Sequence, residues 1–195
     1  MDKVEDYIWK QNIIPKELCQ KTIEEIEKQR WTKHLWYSNE KDIKGRDRFT
    51  LQSSKSHASQ MYAGTQVQQD TFAPYLIKAL REYQRIYSVY EGRTGVDWLS
   101  CLSTLKFNKY ENGGMMQKHY DHIRDIFDGK KKGVPIISII VQLNEGYEGA
   151  EFCLRNKDIP LKTGDVLFFP SNFMYPHEVK KIKKGVRYSI ACWAF

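Results

Sequence analysis

The stretch FNKYENGGMMQKHYDH, residues 107–122, decides the fold class of this chain. Turn-forming residues, Glu111-Asn112-Gly113-Gly114, separate two runs that are typical of short β-strands. Within the second run, residues two apart lie on the same face of a strand. His119 and Asp121 are therefore expected to present an imidazole and a carboxylate on one side.

The same β pattern continues from residue 96 to the C-terminus. Short runs of β-branched and aromatic residues alternate with turn residues. This spacing predicts a sandwich or barrel of short strands. We predict strands near 98–109, 115–121, 135–143, 149–155, 165–169, 177–182 and 187–194.

The N-terminal half of the chain has a helical pattern instead of a β pattern. A helix is predicted from Pro15 through Lys28, with apolar residues at helical spacing. A second helix is predicted to start after Asp70 as its cap and to pack on the outside of the strands. Residues 32–70 between them are polar and indicate either a long loop that covers a functional site or a segment with partial local structure. The apolar stripe of the second helix consists of Phe72, Leu76, Leu80, Tyr83, Tyr87 and Tyr90.

The amino-acid composition of the chain limits the classes of protein to which it can belong. The chain has 195 residues, 41% hydrophobic and 28% charged, which is typical of a globular protein. A chain of this length buries enough surface to fold without a metal or disulfides, so a metal would need a functional reason. Its longest strongly apolar stretch, residues 136–141, is too short to span a membrane, and MDKVEDYIWKQ at the N-terminus lacks the apolar segment of a secretory signal. We expect a single cytoplasmic domain with no membrane partner.

The cysteines and the net charge do not indicate a particular function. Cys19, Cys101, Cys153 and Cys192 are far apart and form no CxxC pair, so we interpret all four as buried thiols. The net charge of +7 could attract an anion, but short lysine runs at 130–132 and 180–184 favour solvated turns.

A third candidate ligand, His177, begins a later predicted strand. Two histidines and one carboxylate form the facial triad of non-haem Fe(II) oxygenases. Zinc is the rival metal, although no HExxH helix or other hydrolase element accompanies these residues. Arg187 follows on the last predicted strand, with Ser189 on the same face. An arginine directed into a barrel requires an anion, and a carboxylate would satisfy it.

Four stretches in this order resemble the Fe(II)- and 2-oxoglutarate-dependent dioxygenases, specifically their prolyl 4-hydroxylase-like branch. The resemblance covers roughly residues 100–195. It is carried by FNKYENGGMMQKHYDH, PIISIIVQLNEGYEGAEF, TGDVLFFPSNFMYPHEV and KKGVRYSIACWAF.

The resemblance implies a role for each matching residue. His119, Asp121 and His177 would be the iron ligands, and Arg187 would anchor the distal carboxylate of 2-oxoglutarate. Tyr110 and Ser189 would support that carboxylate, and Ser138 lies near the position of a co-substrate threonine in many relatives. Many prolyl hydroxylases carry lysine in place of Arg187, which favours the broader branch over a collagen-type enzyme. Trp193 is interpreted as core or as a wall of the co-substrate pocket, and His122, on the opposite strand face, as a structural or surface residue.

The implied fold is α+β, a double-stranded β-helix or jelly roll over residues 96–195, with residues 1–95 as helical support and loop. The implied activity is hydroxylation of an aliphatic carbon in a peptidyl, prolyl-type residue or a free amino acid. Fe(II), 2-oxoglutarate and O2 are the implied cofactors, with ascorbate as an accessory. The products would include succinate and CO2.

Two other functions remain open on the sequence alone. Asn108, Tyr110 and Gly113 are also similar to the alkylation-repair dioxygenases, which demethylate nucleic acid. Those enzymes, however, have asparagine and arginine where this chain has Ser189 and Trp193. The other alternative is a non-catalytic jelly-roll module that keeps a metal site. The polar segments 40–70 and 122–133 are predicted to form a mobile lid over the metal.

Overall fold

The computed structural model describes residues 3–34, 36–41, 47–52, 60–87, 99, 101–121 and 135–195. Helices flank a set of short strands, most of which lie in the C-terminal half. After a 3-10 turn at Val4–Tyr7, the elements are β1 (Trp9–Asn12), α1 (Lys16–Ile26), β2 (Thr32–Lys33), β3 (Trp36–Lys41), β4 (Asp47–Gln52), β5 (Gln60–Ala63), α2 (Gln66–Tyr87), β6 (Lys106–Tyr110), β7 (Met116–His119), β8 (Ile137–Gln142), β9 (Glu148–Gly149), β10 (Phe152–Leu154), β11 (Lys157–Ile159), β12 (Asp165–Pro170), β13 (His177–Val179), β14 (Ile182–Lys184) and β15 (Arg187–Ala194). None of the described helices is both long and apolar enough to cross a membrane.

Two antiparallel sheets face each other and form the jelly roll. The larger sheet has seven strands in the order β1-β12-β8-β15-β6-β5-β2, and the smaller has four in the order β11-β10-β13-β7. The predicted double-stranded β-helix with supporting helices is therefore confirmed.

Strand β8 shows how the larger sheet serves two cores. Side chains alternate between the faces of a strand, and both faces are covered here, so all six residues of β8 are buried. Ile137, Ile139 and Val141 pack with α1 and α2 in one hydrophobic cluster. Ile140 packs in a second cluster with residues of the smaller sheet. The second cluster lies inside the jelly roll, and polar residues on that same face can form a site there.

Helix α2 begins earlier than predicted. Its first residue is Gln66, and not a residue after Asp70. Thr65 and Gln68 bond reciprocally: the Thr65 hydroxyl accepts from the Gln68 N–H at 3.3 Å, and the Gln68 side chain accepts from the Thr65 N–H at 3.0 Å. This capping box sets the start. The predicted apolar stripe is otherwise correct through Tyr87, and Tyr90 lies outside the described residues.

Of the two alternatives left open for residues 32–70, a long loop or partial local structure, the described residues show local structure. Strands β2 and β5 pair with each other, and β5 also pairs with β6, which extends the larger sheet. Strands β3 and β4 form a separate antiparallel pair. The helical-support region therefore also contributes strands, as does β1, which pairs with β12.

The lid prediction is corrected in part by the same observation. Residues 60–63 and 66–70 belong to a sheet strand and a helix, so they do not form a lid. Residues 122–133, including His122, lie outside the described residues. One smaller correction concerns the thiols: Cys19, Cys153 and Cys192 are buried, but Cys101 is exposed.

Candidate active site

The two histidines and the aspartate that the sequence singled out meet between the sheets. Their ligand atoms all lie within 4.8 Å of one another. Asp121 Oδ1 is 3.6 Å from His119 Nε2, and Asp121 Oδ2 is 3.5 Å from His177 Nε2. The meeting follows from strand register, because His177 at the start of β13 lies opposite His119 at the end of β7.

Backbone carbonyls orient both imidazoles. His119 Nδ1 lies 2.6 Å from the carbonyl oxygen of Gln117, and His177 Nδ1 lies 3.1 Å from that of Tyr175. Since a carbonyl can only accept, each Nδ1 donates its proton, and each Nε2 is left as the electron-pair donor facing Asp121. This is the arrangement by which proteins orient metal-ligating histidines.

Asp121 is buried and held in its charged form. Desolvation raises the pKa of the carboxyl, but His177, His119, the Ser138 hydroxyl and the Trp193 indole together outweigh it, so the pKa is lowered. The Ser138 hydroxyl donates to Asp121 Oδ2 at 2.7 Å. A second hydroxyl, that of Ser171, lies 2.8 Å from Ser138. The triad thus presents two imidazoles and one anionic carboxylate, a donor set suited to a divalent metal.

Arg187 is the largest fully buried side chain of the described residues, with 1% of its surface exposed. Its Nε and Nη2 both donate to Gln142 Oε1, at 3.1 and 2.9 Å. Its Nη1 is buried and has no hydrogen-bond partner in the part of the chain that the structure describes. Among those residues, no carboxylate pairs with the guanidinium. A buried arginine in this state requires an anionic ligand.

Gln142 is the site residue that the sequence reasoning missed. Its Nε2 donates to the Asn144 carbonyl at 2.7 Å and to the Tyr147 hydroxyl at 3.1 Å, so its Oε1 is left to face Arg187. The available signal was alternation: Ser138 and Gln142 are polar residues on one face of an otherwise apolar strand.

Tyr110 and Ser189 lie where the resemblance implied. Tyr110 is opposite Arg187 in the β6–β15 register, and the guanidinium carbon is 5.3 Å from its ring centroid. Burial raises the pKa of the Tyr110 hydroxyl, although the Arg187 charge partly offsets the effect, so the phenol remains a proton donor. Ser189 is buried on the same face of β15, two residues further along.

Ser138 is placed away from the Arg187 end of the site. It precedes Gln142 by four residues, about 13 Å along a strand, and its hydroxyl donates to Asp121. The structure brings Ser138 together with the metal ligands and not with the arginine. Its contacts suit orientation of the aspartate better than support of a distal carboxylate.

A cavity of about 250 Å³ opens beside Arg187. Its walls are mainly apolar, with Tyr147, Phe152, Ile159 and Leu161 contributing, and Gln142 and Arg187 form its polar end. Phe152 connects the cavity to the triad, because its ring centroid is 5.6 Å from that of His177. A small dicarboxylate with one end at Arg187 would extend toward the metal ligands.

The described residues therefore fit the two groups that the sequence implied. The triad offers two imidazoles and one carboxylate on one side, which suits Fe(II). The unpartnered Nη1 of Arg187 at the end of a cavity suits a carboxylate of 2-oxoglutarate.

Residues 105–195 match the family model described as the 2OG-Fe(II) oxygenase superfamily. That stretch contains the triad, Arg187, the whole four-stranded sheet and four of the seven strands of the larger sheet. This part of the chain is therefore similar to the 2OG-Fe(II) oxygenase superfamily. A PKHD-type hydroxylase of Aliarcobacter butzleri is 34% identical over 95 residues, which cover 45% of this chain and 41% of that relative. The chain thus spans less than half the length of the curated relative that it matches.

Solved prolyl hydroxylases share the fold of this chain. A Pseudomonas putida prolyl-4-hydroxylase has a TM-score of 0.64 at 18% identity, over 98% of this chain and 95% of its own. A viral collagen prolyl hydroxylase of Paramecium Bursaria Chlorella virus-1, in complex with 2OG, has a TM-score of 0.66 at 17% identity, over 96% and 95%. A Trichoplax adhaerens prolyl hydroxylase in complex with a peptide fragment has a TM-score of 0.64 at 18% identity, over 96% and 83%.

Proposed function

We propose that the chain is one domain over residues 1–195 and acts as an Fe(II)- and 2-oxoglutarate-dependent hydroxylase. The observation that carries the proposal is the buried Arg187 with an unpartnered Nη1, which shares a jelly-roll interior with the His119, Asp121 and His177 cluster. A bare metal site does not need a buried guanidinium. A site for an oxoacid that binds the metal at one end does need a buried cation at the other end.

Each side chain has a defined task in this proposal. His119, Asp121 and His177 hold Fe(II), while the two backbone carbonyls keep the imidazoles correctly oriented. Arg187 binds the distal carboxylate of 2-oxoglutarate, Gln142 fixes the guanidinium, and Tyr110 and Ser189 line the same end. Ser138 holds the Asp121 carboxylate in place.

The bound groups would supply the oxidation itself. With iron and 2-oxoglutarate in the site, one atom of O2 would enter an aliphatic C–H bond of the substrate, and the other would enter succinate as CO2 is released. The protein contributes position and shielding, since Asp121 and His177 are buried and the His177 ring packs against Phe152 and Phe169.

The substrate that we propose is a peptidyl, prolyl-type residue or a free amino acid. Support comes from the prolyl hydroxylase fold and from the Trichoplax structure, whose partner is a peptide. Nucleic-acid demethylation is the weaker reading because Ser189 and Trp193 replace the asparagine and arginine of that group. A non-catalytic module is disfavoured because the three ligands and the arginine are all present. A cytoplasmic location and the use of ascorbate stay predictions.

The test is a turnover assay on the purified full chain with Fe(II) and 2-oxoglutarate. We expect succinate release that requires both Fe(II) and O2. Candidate peptides and free amino acids are then screened for compounds that accelerate release and gain one oxygen atom by mass spectrometry.

Two results would count against this function. Absence of any iron-dependent succinate release would favour the non-catalytic module. Stimulation by methylated oligonucleotides, with none by peptides or amino acids, would favour the demethylase.

A further inference from the structure

A lysine lies beside the metal cluster, and the proposed catalytic machinery does not use it. Lys106 begins β6 and points to the same face as Asn108 and Tyr110, that is, into the jelly roll. In the sheet it lies opposite Ala191 of β15. Its side chain is partly buried.

The ammonium group of Lys106 is located by Trp193. Nζ lies 4.8 Å from the centroid of the Trp193 ring, a cation–π contact. Trp193 in turn is opposite Ser138, the residue whose hydroxyl donates to Asp121. Lys106 therefore lies next to the metal ligands, at the opposite end of the interior from Arg187.

The ammonium group of Lys106 has unused hydrogen-bonding capacity. No described residue accepts a hydrogen bond from Lys106 Nζ. Trp193 is 8% exposed, and although its indole helps to lower the pKa of Asp121, its Nε1 is buried and makes no hydrogen bond of normal geometry to a described residue. An ammonium and an indole N–H are both donors only, so the group that would satisfy them is an acceptor.

The charges of the bound state make that acceptor an anion. A divalent metal would engage the charge of Asp121, and 2-oxoglutarate would bring two carboxylates, one for Arg187 and one for the metal. Asp121 is the acid whose charge acts on Lys106, so once the metal engages that carboxylate, Lys106 keeps a partly buried positive charge with no counter-charge of its own. The acidic residues that line the cavity do not supply one, because Asp158 pairs with Lys180 at 2.6 Å and Glu151 is exposed.

We propose that Lys106 and the indole N–H of Trp193 bind a carboxylate of the hydroxylation substrate. The inference rests on the proposed hydroxylase function and narrows its substrate class to carboxylate-bearing amino acids or peptides. The carboxylate would fix the substrate beside the metal, so that one C–H bond is presented to it.

The experiment measures binding without turnover. The full chain is loaded with Mn(II) and 2-oxoglutarate under anaerobic conditions and titrated by calorimetry with two probe sets. One set is the common amino acids and their amides. The other is short end-capped peptides with aspartate or glutamate, and their asparagine or glutamine counterparts. The first set reports a free α-carboxylate and the second an acidic side chain.

The expected result is a carboxylate preference that depends on Lys106. At least one carboxylate probe should bind about ten- to a hundredfold tighter than its amide, the effect of a charge-assisted hydrogen bond. Lys106→Met should remove the preference. Trp193→Phe, which keeps the aromatic face but loses the N–H, should reduce it severalfold.

Lys109→Met is the matched control. Lys109 lies on the same strand but faces outward, where its Nζ is 3.1 Å from Glu27. This variant should retain the carboxylate preference of the wild type. Equal binding of acids and amides to the wild type, including no binding of either, would overturn the inference, as would a preference that survives in Lys106→Met.

The affinity for 2-oxoglutarate separates this inference from the proposed function. Lys106→Met should leave the Kd for 2-oxoglutarate within about twofold of the wild type, because Arg187 still binds its distal end. A loss as large as that of Arg187→Met would assign Lys106 to the co-substrate and overturn the inference. If the wild type binds no 2-oxoglutarate, the proposed function fails and the inference fails with it. Iron-dependent turnover without a carboxylate preference removes only the inference.

Discussion

The buried charge of Arg187 indicates a ligand-binding function more strongly than any single metal ligand does. A charged side chain that is 1% exposed costs several kcal/mol unless it is paired, and its described partner, the Gln142 amide, is neutral. A carboxylate ligand bound at Arg187 would offset this cost of burying the charge. Such a residue is better explained by binding than by folding.

Replacing Arg187 with methionine should weaken 2-oxoglutarate binding by about ten- to a hundredfold, the loss of a charge-assisted hydrogen bond. Metal binding should change little, because no ligand is altered. Calorimetric titration of the Mn(II)-loaded protein measures both. Arg155→Met is the control, since the Arg155 side chain is partly exposed and pairs with Glu5 at 2.9 Å. An unchanged Kd in Arg187→Met would mean that another residue holds the distal carboxylate.

Replacing Asp121 with alanine should abolish succinate release, because two imidazoles alone hold a divalent metal weakly and in the wrong geometry. The fold should survive, since the hydrophobic cores do not include this residue. Turnover, Mn(II) titration and circular dichroism are measured on the same preparation. Near wild-type turnover in this variant would show that the metal binds elsewhere.

Turns between strands decide whether the polar ends of the site meet. Gly164 precedes β12; its N–H donates to the Gln142 carbonyl at 2.9 Å, and its carbonyl accepts from Ile13 and Ile14 at 3.1 Å. It thereby ties the end of β1 to β8 and to the residue that holds Arg187. Its φ of +88° is in the left-handed region, and a Cβ would lie 2.2 Å from the Ile14 carbonyl oxygen.

Gly164→Ala should therefore destabilise the protein by about 3–5 kcal/mol, from backbone strain and from a clash that displaces β1. Gly146→Ala is the matched control: its φ is +84°, but nothing lies within 4 Å of the added Cβ. The control should lose only about 1–2 kcal/mol. Urea denaturation of both variants gives the free energies of unfolding. Equal losses would show that the close approach to Ile14 is not a constraint in solution.

The molecule has two hydrophobic cores, and neither of them includes the metal-ligand triad. One core joins the larger sheet to α1 and α2, and the other fills the space between the sheets. The triad lies at the border of the second core and is not needed to close either. Metal and co-substrate should thus add stability to a protein that is already folded, unlike a zinc finger.

Ligand binding to the folded state should raise the melting temperature. At a concentration of 100 Kd, a ligand contributes about 2.7 kcal/mol. For a protein of this size that corresponds to roughly 5–10 °C. We expect Mn(II) with 2-oxoglutarate to produce this shift, a chelator to reverse it, and melting to remain cooperative without metal. A protein that unfolds on chelation would instead have a structural metal.

The order of residues was enough to predict most strands of the C-terminal half, the triad and the arginine, although β6 begins at Lys106 and not near residue 98, and β11 was missed. Alternation is a local property of a strand, so the order of residues alone assigned His119 and Asp121 to one face. The same periodicity predicted the apolar face of α2. The motifs also predicted the resemblance to this superfamily, which the match over residues 105–195 confirmed.

The tertiary structure alone decided what depends on neighbours distant in the chain. Strand β1, with the sequence WKQN, has little β pattern and forms because β12 pairs with it and Trp9 stacks on Phe168. Gln142 contacts Arg187 only because β8 and β15 are adjacent in the sheet. The same pairing places Ser138, at the other end of β8, beside the metal ligands. Lys106 became a candidate site residue only when register placed it over Trp193. Pairing between strands is a non-local contact: the pattern of one strand fixes which of its faces is buried, but not which distant strand lies beside it.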